Sequence, residues 1–134
     1  MKIKKLKNII LIFTVFCSSI VFSPQSFAEW NVIEKSVSGE VTYIDFTRIR
    51  KHDGFVYFWV LEDLLKPDSQ GDLSYRNYLQ GDCRTFRFKY LSGNYHKAPM
   101  GKGPSRTFNS QNPQWTYPTP YSVGETILKS VCNN

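Results

Sequence analysis

The sequence predicts a small α+β domain, a β-sheet with one C-terminal helix packed on its face and tied there by a disulfide. Three observations carry this. The first is the closing stretch Ser122 to Cys132. There Ser122 with Glu125 three residues on has the form of a capping box, and Val123, Ile127, Leu128 and Val131 recur at helical spacing. The second is a series of short runs rich in branched and aromatic residues, separated by Gly, Pro and Asp-Gly reversals. The third is cysteine usage. A helix of roughly three turns is marginal alone in water and must dock by its apolar stripe. Cys132 lies on that same face, four residues after Leu128.

Residues 1–28 read as a cleaved secretory signal peptide. Lys2, Lys4, Lys5 and Lys7 form the basic start, Ile9 to Phe22 the apolar run, and Ser26-Phe27-Ala28 the small-residue cleavage site. The run is shorter than the roughly 20 residues of a spanning helix, and Pro24 breaks it just before the cleavage site. Phe16, just before Cys17, is too bulky for a lipid-attachment motif, so Cys17 reads as an apolar residue that leaves with the signal. Cleavage leaves 106 of the 134 residues, enough for one domain, 29–134. Loss of the four lysines takes Lys+Arg from 17 to 13 against 11 acids, so the net charge falls from +6 to +2. The basic balance is therefore mostly a property of the leader, and nucleic acid is not an expected partner. Two cysteines remain, Cys83 and Cys132, and in an oxidising compartment they read first as one disulfide.

Along the mature chain, Glu29 to Glu34 reads as a first strand, Ser36 to Glu40 as a turn, and Val41 to Phe46 as a second strand. Thr47 to Gly54 is polar and ends in the reversal Asp53-Gly54. Phe55 to Leu61 is apolar on both faces, which places it centrally with the helix over one side. Lys66 to Asp72 reads as a loop. Leu73 to Cys83 reads as a strand that puts Leu73, Tyr75, Leu79 and Cys83 on one face, so parity turns Cys83 inward toward the helix cysteine. Phe86, Phe88 and Tyr90 then alternate with Arg87 and Lys89, and the change of parity predicts a bulge or break near Arg84-Thr85. Ser92 to Pro120, rich in Gly, Pro, Asn and Ser, reads as an ordered loop anchored by Tyr95, Phe108 and Trp115, with an edge strand around Ser105 to Asn109.

Catalytic signals are missing from this sequence. His52 and His96 fall in polar, turn-like segments without ligand spacing and read as surface histidines. Asp45, Asp53, Asp82 and the Glu62-Asp63 pair read as solvated charges. Met100-Gly101-Lys102-Gly103 fails as a phosphate loop, because His96 and Gly103 stand where Gly and Ser/Thr are needed. No Gly-x-Ser-x-Gly elbow occurs. The reading is of a non-enzymatic protein without cofactor or metal. Arg84, Arg87, Lys89, Lys97, Lys102 and Arg106, interleaved with aromatics, are the densest basic stretch, and alternation on a half-buried strand already accounts for Arg87 and Lys89.

The order of features has a familiar form. Trp30, Val41-Thr42-Tyr43-Ile44-Asp45, Arg48-Ile49-Arg50-Lys51, Gly54 and Phe58-Trp59-Val60-Leu61 come first. Gly81-Asp82-Cys83, Met100-Gly101-Lys102-Gly103, Trp115, Pro120 and Leu128 to Cys132 come after them. Over essentially the whole mature chain this set resembles the bacterial surface-adhesin E family. The resemblance implies a six-stranded antiparallel sheet with a C-terminal helix held by Cys83–Cys132. It implies binding of extracellular-matrix and serum proteins such as laminin and vitronectin, with Arg87 and Lys89 as the ligand-binding residues to carry over. The expectation is thus an exported binding domain, periplasmic, secreted or at the cell surface. The alternative is a periplasmic, envelope-associated structural domain.

Overall fold

The computed structural model describes residues 27–134; the predicted signal peptide lies almost wholly outside the described residues. The strands are β1 (Asn31–Lys35), β2 (Val41–Ile44), β3 (Arg50–His52), β4 (Phe55–Asp63), β5 (Ser74–Asp82), β6 (Arg87–Ala98) and β7 (Lys102–Asn109). One helix, α1 (Val123–Cys132), closes the chain. All strands lie in one antiparallel sheet of order β1-β2-β4-β5-β6-β7. The seventh strand, β3, adds no rank. It pairs with Phe55, Val56 and Tyr57 of β4 on the edge that β2 occupies further along, at Val60 to Asp63. A single 3₁₀ turn, Phe46–Arg48, divides the two, capped by Asp45, whose carboxylate accepts the Thr47 N–H at 3.1 Å. Six ranks and seven strands describe the same sheet.

As its apolar run predicted, β4 is central. Val56, Phe58 and Val60 face the helix and are buried with Ile44, Leu79, Phe88, Ile127, Leu128 and Val131. Leu61 points to the other side and is also fully buried. It lies under the β6–β7 turn, where a Cβ added to Gly101 would stand 2.7 Å from Arg76 Cδ and 3.5 Å from Leu61 Cδ1. Helix docking depends on another glycine. At Gly81 a Cβ would meet Val56 Cγ2 at 2.9 Å and Leu128 Cδ1 at 3.0 Å, so the bare backbone makes the seat into which Leu128 fits. The Ser122 hydroxyl accepts the Glu125 N–H as expected, at 3.2 Å, but the Glu125 carboxylate reaches back to the N–H of Tyr121 and not of Ser122. Tyr121 is left-handed (φ 62°), which aims its N–H at that carboxylate while the Ser122 N–H donates to the Thr119 carbonyl.

The strands refine or correct the sequence expectations in three places. The parity change near Arg84-Thr85 is a break between strands and not a bulge. The chain reverses fully at 83–86, with Phe86 left-handed (φ 52°), and the bulge falls later, where Tyr78 faces Ser92 and Leu79 faces Tyr90. Because β5 ends at Asp82, Cys83 does not turn inward on a strand; it sits exposed in the hairpin turn. The disulfide to Cys132 nevertheless forms, with the Cα atoms 5.7 Å apart. Finally, most of the predicted loop after Ser92 is a long hairpin. Gly93 acts there as a close-approach residue: a Cβ would lie 2.5 Å from both Asn77 Oδ1 and the Phe108 ring. Pro104 sits on the outermost strand, where no N–H is required toward a neighbour.

Candidate functional site

The helix covers one face of the sheet. The other face carries a continuous set of aromatic and cationic side chains, and β4 and β5 supply its centre. Trp59 faces Tyr78 across the strands with ring centroids 4.8 Å apart, and Tyr57 reaches the same tyrosine at 6.3 Å. The Arg76 guanidinium lies 5.3 Å above Trp59, and Arg48 lies 5.9 Å from the Trp30 ring. Burial, then repulsion by Arg48, lowers the pKa of Arg76 from its usual value.

The chain after β7 returns to this face. Thr116 forms a two-hydrogen-bond bridge with Phe88, at 3.0 and 2.7 Å, which extends the sheet beside the half of β6 that β7 leaves unpaired. Phe88 points to the helix, so Thr116 does too, and alternation sends Trp115 to the opposite face. There Trp115 stacks on Phe55 at 5.7 Å. Arg87 and Lys89, two apart on β6 and therefore on one face, lie 4.4 and 4.5 Å from its ring. The two residues carried over from the resemblance are thus brought together at one tryptophan ring. The sequence marks Trp115 only as a loop anchor; a lone tryptophan in a Pro-rich polar stretch is the signal it offers.

The two cations differ in freedom. Arg87 also reaches Asp82, whose carboxylate it meets at 3.3 Å. Asp82 is buried and organises the hairpin turn, accepting the Arg84 and Thr85 N–H groups and, at 2.7 Å, the Thr85 hydroxyl. Those bonds, the Thr85 hydroxyl first, hold its carboxyl below the usual range despite burial. A carboxyl depressed in the folded state stabilises above its unfolded pKa, and that contribution disappears as pH falls through the folded value. Asp82→Asn should therefore melt below the wild type at neutral pH, with the gap closing in acid; parallel melts across pH check this. Among the described residues no carboxylate pairs with Lys89. The other cations of the basic stretch are partly committed: Lys97 and Arg106 both bind buried Asp72, at 2.8 and 2.7 Å, and Arg106 lies 4.3 Å from the Tyr95 ring.

The remaining polar candidates take structural places. Asp45, Asp72 and Asp82 are buried and bonded, so three carboxylates that composition leaves solvated are fold elements. His52 is exposed beside Asp53, at 3.0 Å. His96, read as a surface residue, is buried in β6 beside the backbone of Lys102 and Gly103, and burial, then the charge of Arg76, lowers its pKa. Among the described residues no three His, Cys, Asp or Glu side chains gather as a metal set, and no helix is long and apolar enough to cross a membrane.

A family model, described as surface-adhesin protein E, matches residues 30–133. The chain belongs to this family. The match spans the whole sheet, the Trp115 bridge and the helix, so both the fold and the aromatic–basic face lie inside it. Solved structures of Haemophilus influenzae protein E are similar in fold. Crystal form II superposes with a TM-score of 0.62 at 17% identity, covering 80% of this chain and 89% of that one. The selenomethionine form gives 0.61 at 17% identity, with 81% and 88% covered. Protein E from the non-typeable organism gives 0.57 at 18% identity, with 83% and 80% covered. Comparison with curated proteins finds no match. For this adhesin E member, identities so low make the structural likeness one of fold.

Proposed function

We propose that this surface-adhesin E member is an exported, non-enzymatic binding domain that takes a protein ligand of the extracellular-matrix type on the helix-free face, at Trp115, Arg87 and Lys89. The observation that carries the reading is the tryptophan that stacks on Phe55 and meets both cations at its ring. Tryptophan and arginine dominate the binding energy of protein interfaces, because they combine a large desolvated surface with a directed polar or charged group. Lys89, without an acidic partner among the described residues, offers the charge that an acidic segment of a partner would meet. Rim charges of this kind act mainly on association rate and salt dependence.

The test is binding of the mature protein to immobilised laminin and vitronectin. Trp115→Ala should weaken binding about 30-fold, the factor for a hot spot of about 2 kcal/mol. Lys89→Ala should have a smaller effect and flatten the dependence on salt. Equal binding by folded variants and wild type would move the site elsewhere. The periplasmic structural reading rests on its own observation, Phe16 before Cys17, which does not fit a lipid-attachment motif. Protease treatment of intact cells separates the two: digestion supports the adhesin reading, and protection until lysis supports the structural one.

A further inference from the structure

On the helix side of the sheet, α1 covers only part of the face. Beyond it the strands carry Glu62, Tyr75, Asn77, Tyr90, Tyr95 and Phe108, which line a cavity of about 380 Å³. The register explains the grouping. Glu62 faces Tyr75, and Tyr75 faces Tyr95, across three neighbouring strands. The rings form a cluster, Tyr95 edge-on to Tyr75 at 5.2 Å and stacked with Phe108 at 5.3 Å. Glu62 and Tyr90 also line the adjoining cleft of about 480 Å³ that runs beneath the N-terminus of α1.

Glu62 is the odd member. It continues the inward row Val56, Phe58, Val60, yet it is a carboxylate. Among the described residues neither a hydrogen-bond donor nor a cation meets it; burial, then repulsion by Glu40, raises its pKa. Glu40, the neighbouring acid, has its Oε2 occupied by the hydroxyls of Ser36 and Ser38, at 3.0 and 2.9 Å. A half-buried carboxylate with an acidic neighbour and aromatic walls costs the fold stability, and such costs concentrate at binding sites.

We infer that this cavity is a second binding site, for a quaternary ammonium cation, with the Glu62 carboxylate as counter-charge and the rings of Tyr75, Tyr90, Tyr95 and Phe108 as the wall. Competing ligand chemistries fit less well. An anion is repelled by Glu62 and Glu40, and the Arg106 guanidinium, 4.3 Å from the Tyr95 ring, has its charge met by Asp72. A neutral apolar body leaves Glu62 desolvated without a partner. A hard metal ion needs six or more oxygens and finds one free carboxylate. A quaternary ammonium has no N–H to satisfy, presents methyl groups to π faces, and is the cation that aromatic cages hold best. The site lies on the opposite side of the sheet from Trp115, so its fate is independent of the protein-binding face.

The experiment is a titration of the mature protein, followed by amide chemical shifts, with choline and with its uncharged carbon isostere, dimethylbutanol. Choline is expected to saturate and to move resonances around Glu62 and Tyr90, and the isostere to bind at least about tenfold more weakly, the loss of one partly buried charge interaction. Glu62→Gln, which keeps the shape, should lose choline binding by a similar factor, while Tyr95→Leu weakens it and Trp115→Ala leaves it unchanged. Vesicles of phosphatidylcholine against phosphatidylglycerol then tell a lipid headgroup from the free solute as source; retention on the former alone assigns the headgroup. Equal affinity for choline and isostere, or for wild type and folded Glu62→Gln, would overturn the assignment, as would the absence of any choline-induced shift near Glu62.

Discussion

Cys132→Ser is expected to melt roughly 15–30 °C below the wild type, the shift that about 4 kcal/mol produces in a domain of about 100 residues. The figure comes from loop length. Cys83 and Cys132 are 49 residues apart, and removing a cross-link of that span returns about 4 kcal/mol of entropy to the unfolded chain. For a domain whose whole stability is about 5–15 kcal/mol, this is a large fraction. The native state loses a fastening as well. α1 has ten residues, too few to persist undocked, and its last residue is the bonded cysteine. Cys83 is exposed in the hairpin turn, so mild reductant should reach the bond and bring the wild type down to the variant. Melting curves of wild type, wild type with reductant, and Cys132→Ser provide the measurement; coincidence of the first and third would show that the bond does not hold the helix.

Leu128→Ala is the second large effect, about 2–5 kcal/mol, the range for removing a buried leucine and leaving a cavity. Leu128 is fully buried, and it fills the seat that Gly81 leaves between Val56 and Phe58. Neither a glycine backbone nor a β-branched valine can extend to fill the space, so little relaxation is available and the value should fall in the upper half of that range. Chemical denaturation gives it directly. Both substitutions loosen one short helix, so the double variant should lose less than the two single losses added together. Strict additivity would show that disulfide and leucine hold separate parts of the structure.

Much of the fold could be read from local pattern, because local pattern and burial agree there. The stripe Ile127, Leu128, Val131 can be buried only by helix docking, and a run such as Phe55 to Leu61, apolar on both faces, belongs in the middle of the sheet with the helix over one side. The cysteine count and the Ser122 cap are equally local facts. The errors came where a residue type has two uses. Gly93 and Pro104 mark turns in most sequences; here one permits close packing and the other sits harmlessly on an edge, so a predicted loop is a hairpin. Aspartates are normally solvated, but Asp45, Asp72 and Asp82 are buried because turns and arginines surround them with donors.

By itself the sequence determined the central strand, the helix and the cysteine pair, since each is fixed by composition or by a period along the chain. Only the tertiary structure decided which side chains share a surface. Trp115 reaches Arg87 and Lys89 through one bridge to Phe88, across 28 residues of chain, and Glu62 comes to line one cavity with Tyr95 through the registers of two strand pairs. Such meetings depend on pairing register, and register is set by the sum of packing over the whole sheet, which no local window contains.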